Sequence, residues 1–517
     1  MPPTMSGKAL SHSPIGRVAI GLFVLLGLVG LAYHSMWRDE FNTWLIVRDS
    51  DSLGEILGYV HYQGHTALWA LCITAVQQIT QQPWGMKAFH WAVAMVSITT
   101  FWQFSPFTQR QKILFSFGYL PFYQYLLVSR PYVLGMAFLF LFCTLFPIRR
   151  HNYLPLAVVL VLLANSHAYG LFITLALTFM LVVEWLWRRW QAKPQPSWWN
   201  SSASLLLVLV GIVIALYILI PPGDSTNHGG VSAWIFSFDL RHLLRSICRV
   251  FAGYFLIIPT HKRWLDLIFG SIVAIGMVSA TVTYLRRTPL ALLFYSTATG
   301  ILFTFTYVRF LGLGQRHFGQ FYLILLAALW LAHHERQSLL SLQSAQGWLT
   351  RLIQNRYGII LGLVLWVQCL GGIGAFTYSF FTPLSASRAA VGYIQRQGWQ
   401  SEYIVASRDA TMAPIAGYLN RQLYYPERNA LGTFTLFNQS RRDVDHDEVL
   451  QQTQELLTGD NPPARILLIL SKELNRQALN NLNILNQLQV DPIEQFERAW
   501  QEKYYLYWVT RQTIQPS

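Results

Sequence analysis

The sequence predicts a polytopic α-helical membrane protein of about 11 to 13 transmembrane helices, closed by a small C-terminal α/β soluble domain. Three observations carry this. Apolar stretches long enough to cross a bilayer recur from about residue 16 to residue 381. Only 12% of the 517 residues are charged, whereas soluble domains run near about a quarter. After about residue 385 the apolar runs shorten to strand length, separated by polar helical stretches.

The first span opens the chain. Lys8 and Arg17 precede a run without formal charge from Val18 to Trp37. That length fits a retained helix better than a cleaved signal peptide, whose core is shorter. Further spans are expected near 86–105, 112–128, 131–148, 153–164, 167–187, 203–220, 264–285, 289–308, 317–334 and 357–381. The 19 Trp and 25 Tyr suit the aromatic belts of a bilayer. Segments 66–80 and 243–258 fit interfacial helices, the second because it carries Arg245 and Arg249.

Charge sets the orientation. The net charge of +14 does not imply nucleic-acid binding, because basic residues in so apolar a chain collect in cytoplasmic loops. Eleven crossings place Arg110 with Lys112, Arg149 with Arg150, Arg188 with Arg189, Arg286 with Arg287, and the run from Arg336 to Arg356 all inside. Thirteen is the alternative. Either odd count puts the N-terminus in the cytoplasm and the C-terminal domain outside, in a plasma or inner membrane. Glu184 and Arg188, four apart on one helix face, are expected to pair. Cys72, Cys143, Cys248 and Cys369 all sit in apolar stretches, with no disulfide or zinc pattern.

The chain divides into a membrane region, 1–384, and an extracytoplasmic domain, 385–517. In the latter, "EYIVASRD" and "RILLIL" read as strands, "KELNRQALNNLNILNQL" as a helix, and "IEQFERAWQEKYYLYWVTRQ" as a strand pair. The Tyr-rich "DATMAPIAGYLNRQLYYPE" reads either as a platform for sugar rings or as packed core.

The chemistry concentrates in the first outer loop, 37–65. "WRDEFNTW" places Asp39 and Glu40 at the mouth of the first helix, and His61 and His65 follow before an aromatic segment. Carboxylates at a membrane surface can take a proton from a hydroxyl or hold a divalent cation. Neighbouring arginines can hold a phosphate.

Three stretches resemble the GT-C glycosyltransferases, the group of protein O-mannosyltransferases and aminoarabinose transferases. "WRDEFNTW" carries an acidic pair after the first helix. "HYQGHTALWALC" is similar to a His-Pro-Pro-Leu-Tyr-type segment, with His65 at the His position but without the prolines. "YQYLLVSRPYVLGMAFLFLF" is similar to an Arg-x-Tyr stretch, matched by Arg130 and Tyr132. A weaker fourth, "GQRHFGQFYLILLAALWL", is like a late Arg-His helix start.

The resemblance implies transfer of a sugar from a polyprenyl-phosphate donor to a lipid, protein or glycan acceptor at the outer membrane face. In that reading Asp39 is the general base of an inverting attack. Glu40 positions the acceptor or a metal, with Mg or Mn as the candidate cation. Arg130, Arg309, Arg316 and His317 bind the donor phosphate, and His65, Tyr132 and His167 contact substrate. The alternative is a transporter or flippase of lipid-linked glycans. Such a protein more often carries charges at mid-membrane, where this sequence has few.

Overall fold

Ten of the eleven expected spans fold as helices where the sequence places them, and the eleventh breaks. The computed structural model describes residues 14–227, 233–258, 263–309, 314–336, 348–459, 461–474 and 488–512. Among these, seven helices are long and apolar enough to cross a bilayer: Pro14–Tyr33, Tyr132–Arg150, Ala168–Trp190, Trp198–Leu219, Trp264–Leu285, Pro289–Val308 and Asn355–Phe381. The chain is an integral membrane protein. On Trp198–Leu219, Leu206, Val213 and Tyr217 are all more than 60% exposed. A band of that kind is a liability in water and a match for lipid. Gln320–Arg336, by contrast, is buried nearly all round and forms the centre of the bundle.

Polarity separates the two ends of this bundle. Ala168–Trp190 begins beside His167 and carries Arg188 and Arg189 in its last turn, about 35 Å away at 1.5 Å per residue. Gln320–Arg336 likewise begins beside His317 and ends at Arg336. Glu184 takes its close partner from a neighbouring segment: Arg149 lies 2.7 Å away and Arg188 4.0 Å. The two ambiguous segments form the short helices Leu68–Gln77 and Leu240–Phe255. The first, about 15 Å long, cannot cross a bilayer.

The expected span 112–128 is not one helix. It runs as Gln109–Ser116, breaks at Gly118, and resumes as a π-helical turn over Tyr119–Gln124. Pro121 cannot donate to a continuing α-ladder. The wider turn closes instead through Tyr125 N to Leu120 O at 2.7 Å. Gly372 of the Trp348–Phe381 helix presses on this break: a Cβ there would lie 2.3 Å from the Phe117 carbonyl oxygen.

A six-stranded sheet follows the last span: β1 (Tyr403–Ser407), β2 (Leu423–Tyr425), β3 (Ala430–Gly432), β4 (Ile466–Leu470), β5 (Leu488–Phe496) and β6 (Tyr504–Arg511). The order is β3-β2-β1-β4-β6-β5. β2, β1 and β4 are parallel, and the other pairings are antiparallel. Helices Ser387–Arg396 and Asp409–Leu419 pack on one face, and His446–Thr458 on the other. Strand β4, covered on both faces, is uniformly apolar for that reason. The strands expected from "EYIVASRD" and "RILLIL" are β1 and β4, and the expected pair is β5–β6. "KELNRQALNNLNILNQL" lies almost wholly outside the described residues.

Candidate active site

After the first span the chain turns through His34–Trp37 into the helix Arg38–Arg48. Glu40, third in that helix, reaches back to accept the Trp37 N–H at 3.1 Å and so closes the first turn. Asp39 and Glu40 both suit the positive end of the helix dipole.

The C-terminal domain holds this helix from above. Asn42 pairs in both directions with the Thr435 backbone, at 3.1 and 2.8 Å. The Phe41 ring packs edge-on to Tyr418 over Gly417, where a Cβ would lie 2.2 Å from the ring. Glu502 accepts the Arg38 N–H at 3.1 Å.

Asp39 faces a cavity of about 830 Å³ and is surrounded by guanidinium groups. Its Oδ2 accepts from Arg316 Nη2 at 2.9 Å and lies 3.6 Å from Arg130 Nη2, while Oδ1 is 3.8 Å from Arg38 Nε. Burial pushes its carboxyl up, but Arg130, Arg316 and Arg38 outweigh burial and hold it at about 2. Arg130 also donates to the Asp39 carbonyl oxygen at 2.6 Å and to His65 Nε2 at 2.6 Å. An arginine can only donate, so His65 accepts there and keeps its proton on Nδ1. Burial, and then the charge of Arg130, keep His65 neutral with a pKa well below the usual range.

Around this pair stands an aromatic and imidazole wall. Tyr132 contacts His65, His167 and His317, with ring centroids 6.2, 5.0 and 5.5 Å away. His167 also caps its helix: Nδ1 accepts the Gly170 N–H at 3.1 Å. Arg316 Nε donates to His317 Nε2 at 3.4 Å, which leaves the proton on Nδ1. The Gly314 carbonyl lies within reach of the His317 ring, while the buried Nε of Arg130 has no hydrogen-bond partner among the described residues. Buried donors are almost always paired, and the Arg130 Nε is an exception among the described residues.

Thus Asp39, His65, Arg130, Tyr132, His167, Arg316 and His317 line one cavity. Two residues expected with them do not. Arg309 lies to the side, its guanidinium 3.4 Å from the Asn227 carbonyl and over the Trp234 ring. Glu40 is fully buried and turned away. It accepts from His34 Nε2 at 2.8 Å, Trp37 N and the Ser129 N–H at 2.7 Å. Burial opposes its ionisation, but His34 and these bonds prevail and lower its pKa. Glu40 therefore ties the helix start to the turn before Arg130 and does not line the cavity.

The same geometry does not suit Mg or Mn. Asp39 and Glu40 diverge, a cation at Asp39 would face three guanidinium groups, and the described residues hold no cluster of three or more metal-ligating side chains.

Several lining residues carried no signal in the sequence. Tyr119, Tyr123 and Gln124 enter through the π-helical turn, and Trp37 stacks under Arg316 at 5.1 Å. The Gly118–Pro121 pair, read as a helix breaker, was the available clue. Glu502 is 1% exposed, and burial raises its carboxyl to about 8 despite hydrogen bonds and the Arg38 charge.

No family model matches the sequence, and no curated protein matches it. The fold is similar to that of ArnT from Cupriavidus metallidurans in two crystal structures. The apo state has a TM-score of 0.51 at 12% identity, covering 95% of this chain and 97% of that one. ArnT bound to undecaprenyl phosphate has a TM-score of 0.51 at 11% identity, covering 96% and 98%. The likeness spans both chains almost end to end, and this protein shares the fold of those two structures.

Proposed function

We propose that the chain is a glycosyltransferase. It takes a sugar from a polyprenyl-phosphate donor and passes it to a hydroxyl of a lipid, protein or glycan acceptor. The basic clusters at the opposite end of the bundle support a reaction at the non-cytoplasmic face. The observation that carries this reading is the pairing of one carboxylate, Asp39, with Arg130 and Arg316 at the wall of one cavity. Paired cations of this kind suit a phosphate leaving group. The ligand printed for ArnT, undecaprenyl phosphate, is of that chemical class.

Asp39 at a pKa of about 2 is fully ionised but a weak base. A donor phosphate competes with it for Arg130 and Arg316. As those charges turn to the phosphate, Asp39 loses its counter-ions and its proton affinity rises. The acceptor oxygen then attacks the anomeric carbon, the carbon–oxygen bond to phosphate breaks with inversion, and the hydroxyl proton goes to Asp39. The leaving phosphate keeps the bonding electron pair, held by Arg130, Arg316 and the His317 N–H. His65, Tyr132 and His167 shape the sugar pocket, and Glu40 positions the first turn of the helix.

Purified protein given a panel of polyprenyl-phosphate sugars tests this. The wild type turns over with at least one donor, in EDTA as well as in Mg. Asp39→Asn binds that donor and does not turn over. Full turnover by Asp39→Asn removes it as base, and a strict metal requirement overturns the metal-free arrangement.

A further inference from the structure

A second polar cavity, of about 900 Å³, lies beside the last turn of Pro14–Tyr33 and shares no lining residue with the Asp39 cavity. His34, Arg48, Lys87 and Arg388 line it, and no Asp or Glu does. His34 and Arg48 are committed, to Glu40 and Asp49. Lys87 and Arg388 are not: neither makes a salt bridge among the described residues. Lys87 donates to the carbonyls of Leu31 and His34, and Arg388 to that of Ala32 at 2.7 Å. The Leu31 and Ala32 carbonyls are open ones at a helix C-terminus and His34 follows it, which explains why cations gather there. The bonds use two of the three ammonium donors and one of the five guanidinium donors. Two adjacent cations therefore face the cavity with spare donors and no carboxylate.

Gln81, Gln82 and Asn420 add neutral polar groups, and the membrane-facing part of the wall is apolar and open. Trp84 and Trp91 line it, with Leu28 below. Trp84 is 61% exposed and Leu28 48%, at the level where the first helix leaves the bilayer. Tryptophan at that depth sits among headgroups. An anion with an apolar body fits both walls, whereas a free anion meets only one.

We infer that this cavity binds the phosphate headgroup of an anionic membrane lipid through Lys87 and Arg388. The inference does not rest on the reaction proposed above.

Native mass spectrometry of the full detergent-purified chain tests it, with dioctanoyl phosphatidylglycerol as probe, dioctanoyl phosphatidylcholine as the uncharged comparison and inorganic phosphate as competitor. One saturable phosphatidylglycerol is expected, with phosphatidylcholine about tenfold weaker and no displacement by equimolar phosphate. Lys87→Gln with Arg388→Gln weakens binding about tenfold or more, as two lost charge-assisted bonds imply. Arg316→Gln does not weaken it, which locates the site. Where the double variant misfolds, Arg388→Gln alone at its exposed position must still weaken binding, and Lys87→Arg with Arg388→Lys must keep it. Unchanged binding in folded glutamine variants, equal binding of phosphatidylcholine, or displacement by equimolar phosphate overturns the inference.

Discussion

Arg316 Nη2 lies 2.9 Å from Asp39 Oδ2, although 277 residues separate them in the chain. The helix start at Gln315 and the end of the first span thus meet at one charge pair. Arg316→Gln removes a cation that lowers the Asp39 pKa from its usual value. The acid limb of kcat/KM should move to higher pH by about one unit, and donor affinity should fall about tenfold. An unmoved acid limb separates Asp39 from the ionisation that limits the rate.

Glu40→Gln tests the positioning role. The substitution removes a buried charge that accepts from His34 and two backbone N–H groups. Stability should fall by about 2–3 kcal/mol, read as a lower thermal midpoint in detergent. The folded pKa of Glu40 is depressed, so its contribution is fully present above about 4.5 and is lost as pH falls through the lower folded value. The variant should show a shallower acid loss than the wild type.

Glu502 has the opposite sign. Its folded pKa is raised from 4.5 to about 8. The folded state therefore holds a proton that the unfolded chain has released, and stability declines as pH rises from about 4.5 through 8. Glu502→Gln cannot titrate and should flatten that part of the profile of thermal midpoint against pH. An identical slope in both proteins would place the titration elsewhere.

Gly372→Ala tests the broken helix. The added methyl meets the Phe117 carbonyl at 2.3 Å, a backbone atom that cannot rotate aside. A loss of about 1–3 kcal/mol is expected from overpacking. Because the same break carries Tyr119 and Tyr123 into the cavity, KM for the donor should rise as well. Gly374→Ala, two residues on with open space at its Cβ, should do neither.

The sequence by itself determined the membrane class, the order of the helices, the strands around β1, β4 and β5–β6, and the end of the bundle at which Asp39, Arg130 and His317 stand. Those properties are local: an apolar run of about twenty residues, a short apolar run of strand length, or a cluster of arginines is legible within a short window. Asp39 and Glu40 show where that window fails. Adjacent in sequence, they point in different directions on a helix, and only packing decided which reached the cavity. Glu40 was claimed by His34 and Ser129, and Asp39 by Arg130 and Arg316. Arg309 read like Arg316, yet it fell beside Asn227. Glu502 gave no signal, because its effect comes from burial against a backbone N–H 464 residues away. The pKa of a carboxylate depends on the charges and the water around it, and the fold alone sets both.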